Sequence, residues 1–360
     1  MPKKNTIIIS DPTLRDGNHA ARHQLTLDQI KNYCEHADAA GIPIVEVGHG
    51  NGIGASSLLV GKCRESDVDM LKIAREHLKK SKLGIHSIPG FSTIEKNLKQ
   101  AIDLGVDVFR IASHCSEADV TQNHISFLRS KNKTTYGVLM MSHMISAEEL
   151  AKQAAKMESY GAETIIIMDS AGTYLPHDVT ERISALTSTL KIPVGFHGHN
   201  NLGMAVANSI AALEAGATML DGTARGFGAG AGNTQLEVLV AVLHKMGYET
   251  GIDFYKMLDA SDMAASEMIQ TIPSIDSISI ISGLSGVFSG FKKHVERVSK
   301  EYNVDPRDLF FALGKRGVVA GQEDLIIETA IQLLQKKGGG GFAIQSPHLA
   351  NLINLEGSFC

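Results

Sequence analysis

The sequence has no tryptophan and only four cysteines, which are scattered along the chain without a CxxC pair. This spacing favours reduced thiols over a disulfide framework or a zinc knuckle. No apolar run is long enough to span a bilayer, and the apolar part of the N-terminal segment is too short for a signal peptide. We therefore expect a cytoplasmic protein that does not enter a membrane.

A surplus of basic residues is also missing. Lys and Arg number 34 against 39 Asp and Glu, so the chain lacks the positive charge that neutralises phosphates, and we expect no nucleic-acid partner. A hydrophobic content of 43% and a charged content of 20% are typical of a globular protein. The length of 360 residues allows one large domain, with or without a small one.

Short runs rich in Ile and Val recur along the first two thirds of the chain, and a segment with helical periodicity follows each run. The spacing of about 25 to 39 residues matches a strand plus its crossover helix. Eight such runs begin near Ile7, Ile44, Leu83, Val108, Thr134, Thr164, Pro193 and Thr218. Eight strand–helix pairs predict a closed (β/α)8 TIM barrel over residues 1–255.

A doubly wound sheet is the alternative, but it usually has fewer strands and a GxGxxG turn after the first one, where this chain reads DPTLRDG. The repeat stops near Tyr255. Four further helices, at Asp262–Met268, Phe288–Tyr302, Pro306–Gly314 and Glu323–Lys337, with a loop around Ile272–Gly286, predict a smaller all-helical domain over residues 256–337. The Gly-rich residues 338–360 are expected to form a flexible tail.

The predicted strand ends are unusually polar, and active sites of TIM barrels lie at this end. His197 and His199 lie two residues apart on one strand, so both imidazoles face the same side. With Asp16 from the first strand they make a two-His, one-carboxylate set that suits Mn²⁺, Co²⁺ or Mg²⁺, and the ligand types alone do not exclude Fe²⁺ or Zn²⁺. The alternative for an isolated His-x-His is a polar turn.

Other residues near these strand ends also have a functional interpretation, and most of them have a structural alternative. Arg15 can hold an oxyanion beside the metal, or form a structural ion pair with Glu46. His19 can act as a general base, or lie at the surface as loop histidines often do. Ser170 can donate to a bound carboxylate. The Gly-rich loop 226–233 can bring backbone amides to a ligand, or be a plain turn.

Six segments at the strand ends together resemble one known family: DPTLRDGNHA, EVGHGNG, LMMSHM, DSAG, HGHNNLG and GAGAGN. They are similar to the metal-dependent 4-hydroxy-2-oxovalerate aldolases, in the superfamily of HMG-CoA lyase and the isopropylmalate and homocitrate synthases. The likeness extends into the helical domain through GVFSGF and GQED and leaves out about the last twenty residues.

The resemblance implies a divalent metal, usually Mn²⁺ with Co²⁺ or Mg²⁺ as alternatives, held by Asp16, His197 and His199. It further implies that His19 is the general base and that Arg15 stabilises an enolate. The implied reaction is the reversible cleavage of a 4-hydroxy-2-oxoacid, such as 4-hydroxy-2-oxopentanoate, to pyruvate and an aldehyde. A role in aromatic hydrocarbon catabolism is implied as well.

The same resemblance places Ser170 and His197 at the pyruvate end of the substrate, with Glu46 and Asn233 just outside the ligand set. Two positions depart from the family. Phe288 replaces a tyrosine that contacts substrate, and the segment from His86 to Ile88 replaces leucines that shape a pocket for a small apolar aldehyde. We therefore expect a more polar or roomier aldehyde pocket.

The family implies a homo-oligomer whose helical domain docks an acylating aldehyde dehydrogenase. Two other functions remain open. An acetyl-CoA-dependent Claisen condensing enzyme, or an HMG-CoA-lyase-like carbon–carbon lyase, has the same barrel but usually carries Gln where this chain has His19. A catalytically idle scaffold subunit would explain Phe288 and His86 as signs of a degraded pocket, but not the complete set of Arg15, Asp16 and the three histidines.

Overall fold

A computed structural model describes residues 7–337 of the chain, with side chains through residue 335. Eight parallel strands form a closed barrel in sequence order, and pairing of the first strand with the last closes it. The TIM barrel prediction is confirmed. The strands are β1 (Ile8–Leu14), β2 (Ile44–Val47), β3 (Lys82–Ser87), β4 (Val108–His114), β5 (Thr134–Met140), β6 (Thr164–Asp169), β7 (Val194–Gly198) and β8 (Met219–Asp221).

Helices surround the barrel and continue beyond it. Among the described residues they are α1 (Gly17–Ala20), α2 (Leu27–Ala40), α3 (Asp67–His77), α4 (Lys99–Asp103), α5 (Gln122–Ser130), α6 (Ala147–Ser159), α7 (Pro176–Thr189), α8 (Ala205–Glu214), α9 (Leu236–Lys245), α10 (Phe254–Met263), α11 (Ser277–Ser285), α12 (Lys292–Tyr302), α13 (Pro306–Arg316) and α14 (Asp324–Lys337). Local sequence sets their ends, as at α2, where a Thr26–Gln29 capping box begins the helix and left-handed Gly41 ends it. In residues 7–337 no helix is long and apolar enough to cross a membrane.

The barrel interior is layered. Side chains of every second strand residue point inward, and an apolar layer that includes Ile44, Val108 and Met219 fills the barrel at one level. Two residues further along the same strands come Glu46, Arg110 and Asp221, which are buried and charged. The polar layer therefore lies on the side of the carboxyl ends of the strands, where the loops carry the candidate site.

The C-terminal helices enclose a core of their own, built from buried residues such as Val287, Phe291 and Phe310. One prediction here was wrong, because helix α11 occupies most of the expected loop around Ile272–Gly286. Its Ser-Ile-Ser-Ile pattern alternates like a strand and contains poor helix formers. The helix forms because the Asp276 side chain accepts a hydrogen bond from the Ser279 amide at 2.8 Å and its apolar side chains pack into this core.

Helix α10 belongs by its packing to the barrel. It lies against α2, and its buried Met257 joins the core of the barrel. The helix predicted at Asp262–Met268 begins earlier, at Phe254, because Asp253 caps it there. The domain division at residue 255 stays a prediction, and this packing favours a position after the end of α10. The predicted tail, residues 338–360, lies outside the described residues.

Candidate metal and substrate site

Asp16, His197 and His199 meet at the carboxyl end of the barrel. The His197 Nε2 atom lies 3.1 Å from Asp16 Oδ2, and His199 Nε2 lies 3.6 Å from the same oxygen. All three residues are buried, and their candidate ligand atoms lie within 4.8 Å of one another. The structure thus brings together the three residues of the predicted metal site.

His197 is oriented from behind by a residue that sequence reasoning missed. Its Nδ1 atom lies 2.8 Å from Asp221 Oδ2, so an Nδ1–H donating to this carboxylate leaves the Nε2 lone pair facing Asp16. Burial opposes a charge on His197, but hydrogen bonds to Asp16 and Asp221 outweigh it and raise its pKa. An imidazole between two carboxylates marks a place where positive charge is stabilised.

The charges of the site favour a bound cation. The buried cluster holds two cations, Arg15 and Arg110, against three anions, Asp16, Glu46 and Asp221. Although burial opposes ionisation, the charges of Arg15 and His199 hold the pKa of Asp16 well below its usual range. One excess negative charge in a buried place is stabilised by a positive ion. The donor set of two imidazoles and one carboxylate fits a divalent metal.

Asn233 lies directly beside these ligands. Its side-chain nitrogen lies 2.6 Å from Asp16 Oδ2 and 3.4 Å from His197 Nε2, whereas its Oδ1 atom is buried without a hydrogen-bond partner. The two ends of an amide are assigned from their hydrogen bonds, so a cation held by Asp16 and His197 favours the reverse orientation, with oxygen facing the ion. Asn233 therefore fits the position next to a metal.

Arg15 forms the ion pair with Glu46 and keeps one donor unused. Its Nε donates to Glu46 Oε2 at 3.1 Å and one terminal nitrogen donates to the Gly50 carbonyl at 3.3 Å. The same terminal nitrogen lies 3.7 Å from Asp16 Oδ2. The other terminal nitrogen is buried without a partner. Arg15 is thus held in a fixed orientation and still has a free donor beside the predicted ligands.

His19 lies on α1, which follows Arg15 and Asp16 at the end of β1. Its ring packs closely on Gly50, where an added Cβ would lie 2.6 Å from the ring. Burial, assisted by the charges of His49 and Arg15, lowers the pKa of His19 to about 3 in spite of the opposing effect of Asp16. The imidazole is therefore neutral near pH 7, as a general base must be.

Ser170 lies at the end of β6, and its hydroxyl group can still donate a hydrogen bond. Its hydroxyl oxygen accepts from the Met141 amide at 3.0 Å, and its carbonyl accepts from the Ser289 amide at 2.9 Å. Because the hydroxyl oxygen is used as an acceptor, its O–H remains available to a ligand.

His86, Ile88 and Phe288, which mark the departures from the family, have different surroundings. His86 is paired in register with inward-facing Arg110, and its buried Nδ1 has no partner. Burial and the charges of Arg15 and His197 lower the pKa of His86 well below its usual range. Ile88 packs on the apolar interior layer, whereas the Phe288 ring lies 6.4 Å from the His19 ring.

A cavity of about 920 Å³ extends outward from this site. His19 and Phe288 line this cavity, as do residues of α12, including Lys293. It connects the candidate site with the helical domain.

A second group of possible ligands, His23, His49 and Cys63, also lies near the barrel mouth. The rings of His23 and His49 stack at 3.7 Å with an interplanar angle of 12°, so their in-plane lone pairs do not converge. The two ring nitrogens of His49 are already bonded to the Gly61 carbonyl and the Asn51 amide, each at 3.0 Å. This group is therefore not a metal site.

Comparison with known proteins agrees with this geometry. Residues 6–264 match the HMGL-like family model, and residues 273–335 match that of a DmpG-like communication domain. A protein named 4-hydroxy-2-oxovalerate aldolase from Pectobacterium atrosepticum is 62% identical over 93% of this chain and 97% of its own length. The chain belongs to the HMGL-like family of 4-hydroxy-2-oxovalerate aldolases. A Spirochaeta aurantia relative with the same name is 61% identical over 91% of the chain and 96% of its own length.

Solved structures with the same architecture are more distant. The carboxyl transferase domain of Rhizobium etli pyruvate carboxylase has a TM-score of 0.76 at 16% identity over 92% of this chain, which spans 61% of that one. The N-terminal domain of a putative aldolase from Bacteroides vulgatus has a TM-score of 0.69 at 24% identity and covers 82% of this chain and 98% of that one. At these identities the likeness shows the fold alone.

Proposed function

We propose that the protein is a class II aldolase that reversibly cleaves a 4-hydroxy-2-oxoacid, such as 4-hydroxy-2-oxopentanoate, to pyruvate and an aldehyde. The observation that carries this proposal is the meeting of a metal-ligand set, a free arginine donor and a neutral histidine at one barrel mouth. The names of the close relatives support the same reaction.

In this proposal Asp16, His197 and His199 hold Mn²⁺, with Co²⁺ or Mg²⁺ as substitutes. The ion supplies a Lewis acid that polarises the C2 carbonyl of the substrate. The Ser170 hydroxyl donates a hydrogen bond to the C1 carboxylate and helps to orient the substrate.

The protein side chains then carry out the proton and charge transfers. Neutral His19 takes the proton of the C4 hydroxyl, and the C4 oxygen forms the carbonyl of the leaving aldehyde. The electron pair of the C3–C4 bond moves into the pyruvate enolate, whose oxygen accepts a hydrogen bond from the free nitrogen of Arg15. Protonation of the enolate at C3 and loss of the transferred proton from His19 complete the reaction with no net change in protons.

We propose that the aldehyde side of the pocket, near His86, Ile88 and Phe288, accepts an aldehyde that is larger or more polar than acetaldehyde. The unpartnered, buried Nδ1 of His86 favours a polar group on the substrate, because such an atom gains a hydrogen bond only from a ligand. A screen of aldehydes in the aldol direction, with pyruvate as the donor, tests this. A preference for acetaldehyde over hydroxylated aldehydes contradicts it.

The reaction itself is tested by pyruvate release from 4-hydroxy-2-oxopentanoate, coupled to lactate dehydrogenase. We expect activity that EDTA abolishes and Mn²⁺ restores. Activity indifferent to EDTA excludes the metal mechanism. Release of free CoA from acetyl-CoA and a 2-oxoacid, without pyruvate release, identifies a Claisen condensing enzyme instead.

We further propose that the helical domain docks an acylating aldehyde dehydrogenase. Ile280 and Leu284 lie one turn apart on α11 and expose 40% and 60% of their surface, which is typical of a contact site. Leu284→Lys should abolish co-elution with such a dehydrogenase and leave aldol cleavage unchanged. A homo-oligomer, a cytoplasmic location and a role in aromatic hydrocarbon catabolism stay predictions, of which the first is measured by analytical ultracentrifugation.

A further inference from the structure

Arg110 belongs to β4, and its side chain lies in the centre of the barrel. It is the largest fully buried side chain among the described residues. One terminal nitrogen contacts Glu46 Oε1 and lies 3.3 Å from the Ser10 hydroxyl. The other donates to Asp221 Oδ2 at 2.6 Å. A single guanidinium thus connects carboxylates from β2 and β8.

Each of these carboxylates also holds a residue of the candidate site. Glu46 accepts from Arg15 Nε at 3.1 Å, and Asp221 lies 2.8 Å from His197 Nδ1. A continuous chain of contacts therefore runs from Arg15 through Glu46, Arg110 and Asp221 to His197. Both ends of this chain lie close to Asp16 Oδ2, Arg15 at 3.7 Å and His197 at 3.1 Å.

We propose that Arg110 is a positioning residue for the reaction, because it fixes Glu46 and Asp221 and, through them, the orientations of Arg15 and His197. It is not a catalytic residue, since both of its contacts toward the site end on these carboxylates. The planar guanidinium suits this role because its donors diverge at fixed angles toward two carboxylates, whereas a lysine ammonium is a single point charge. The inference rests on the proposed function, since it assigns Arg15 and His197 their tasks.

Stability alone does not explain a charged cluster at this place. Apolar side chains fill the barrel two residues earlier on the same strands, so the fold can be packed without charges. Replacing a buried ion-pair network by apolar residues is often neutral or stabilising. The charges of Glu46, Arg110 and Asp221 are therefore better explained by the site that they support.

The test compares Arg110→Met and Arg110→Lys with a matched control, Arg75→Met. Arg75 also joins two elements, through Asp107 at 2.7 Å, but lies outside the barrel. The readouts are the Mn²⁺ dissociation constant and line shape, by electron paramagnetic resonance without substrate, and kcat and KM for cleavage. Circular dichroism verifies the fold of each variant.

We expect Arg110→Met to weaken Mn²⁺ binding by about 10- to 100-fold, as loss of residues behind metal ligands does, and to change the Mn²⁺ line shape. Its kcat should fall by at least tenfold. Arg110→Lys should lie between Arg110→Met and the wild type, and Arg75→Met should match the wild type in metal binding. A folded Arg110→Met with wild-type metal binding and kcat overturns the inference.

Two further variants test separately the contacts through Glu46 to Arg15 and those through Asp221 to His197. They also test the inference if Arg110→Met does not fold. Asp221→Asn should weaken Mn²⁺ binding more than Glu46→Gln does, whereas Glu46→Gln should lower kcat through the loss of the contact that orients Arg15. Arg110→Lys should lower kcat and Mn²⁺ affinity less in either of these variants than in the wild type, because both changes act on one chain of contacts. Full additivity in both pairs overturns the inference. If the wild type releases no pyruvate, the proposed function fails, while the metal-binding readout still tests the positioning by Arg110.

Discussion

The ring of His19, the proposed general base, is enclosed by segments from elsewhere in the chain. Gly50 closes one side of the ring, and Phe288 of the helical region lies against another. On α12, Lys293 donates to the carbonyls of His19 and Ala20 at 3.1 and 2.8 Å and holds the end of α1. The basicity and the position of His19 thus depend on contacts that are distant in sequence.

Replacing His19 by Ala should lower kcat for cleavage by about 10²- to 10⁴-fold, the usual contribution of a general base. Mn²⁺ binding should stay unchanged, because His19 is not among the three candidate ligands. The control is His36→Ala, which removes a histidine of α2 that bonds only its own helix, at the Asn32 carbonyl. An unchanged cleavage rate in His19→Ala would show that another group is the base.

His86→Leu should shift the aldehyde preference toward apolar substrates. Removing the unpartnered ring nitrogen deletes a hydrogen bond to a polar substrate and adds apolar surface, so the ratio of kcat/KM between hydroxylated and aliphatic aldehydes should fall by about 10-fold or more. Competition assays in the aldol direction measure this ratio. An unchanged ratio means that His86 does not contact the aldehyde side.

Phe288→Tyr introduces a hydroxyl near His19, at the position where the family usually has one. The added donor should bind the C4 oxygen of one enantiomer better than that of the other, so the ratio of cleavage rates for the two C4 enantiomers should change by several fold. Rates with each pure enantiomer decide the point. Equal changes in the two cleavage rates would show that the residue at position 288 does not control the C4 stereochemistry.

At the scale of elements, the runs of β-branched residues predicted all eight strands because a buried parallel strand needs apolar side chains on both faces. Helix α11 was missed because its amphipathic pattern is weak and its stability comes from the cap at Asp276 and from packing on α13. Tertiary contacts outweighed local propensity there.

Asp276→Ala should destabilise α11. The Asp276 side chain caps the helix and also contacts Lys292 Nζ at 2.7 Å, so its loss should cost about 1 kcal/mol of unfolding free energy, mainly through the cap. Asp276→Asn keeps the acceptor of the cap and should lose less unfolding free energy than Asp276→Ala. Urea unfolding of both variants measures the difference, and equal losses would show that the ion pair, not the cap, stabilises the segment.

At the scale of the whole molecule, buried neutral histidines make stability depend on pH. Burial lowers the pKa of His23 to about 2 and that of His143 to about 4, and lowers the pKa of His49 and His86 as well. Below their unfolded pKa of 6.5 the unfolded chain binds protons that the folded chain does not. Their contribution to stability is therefore lost as the pH falls.

Three buried carboxyl groups, Asp11, Asp67 and Asp169, have a raised pKa and act in the opposite direction. Burial raises the pKa of Asp11 to about 6 and that of Asp169 to about 7, so the folded state holds protons that the unfolded state releases above 3.8. Their contribution to stability grows as the pH falls through these values. The four histidines named above outnumber these three carboxyl groups, so the histidines set the sign of the net effect.

We therefore expect the EDTA-treated protein to lose unfolding free energy between pH 6.5 and about pH 5, by up to about 1.4 kcal/mol per pH unit for each buried neutral histidine. Urea titrations across this range measure the loss. His23→Gln should reduce the slope, whereas the exposed His177→Gln should leave it unchanged. A stability that stays constant or rises on acidification would contradict the assignment of neutral histidines.

The sequence alone predicted the eight strands and the set of polar side chains at the barrel mouth. Strand positions follow from apolar runs, and the shared face of His197 and His199 follows from the two-residue period of a strand. Asp16, Arg15 and His19 were identified by their place at the end of the first strand and by a resemblance in motifs, because the residue types required for this chemistry are few.

Only the tertiary structure decided what orients these residues. Arg110 and Asp221 are 111 positions apart, and their contact exists because barrel closure brings β4 and β8 to one interior layer. An arginine inside an apolar strand was a signal in the sequence, but its partners depend on register and closure. Local sequence sets secondary structure through propensity and period, whereas contacts between distant charges require the complete fold.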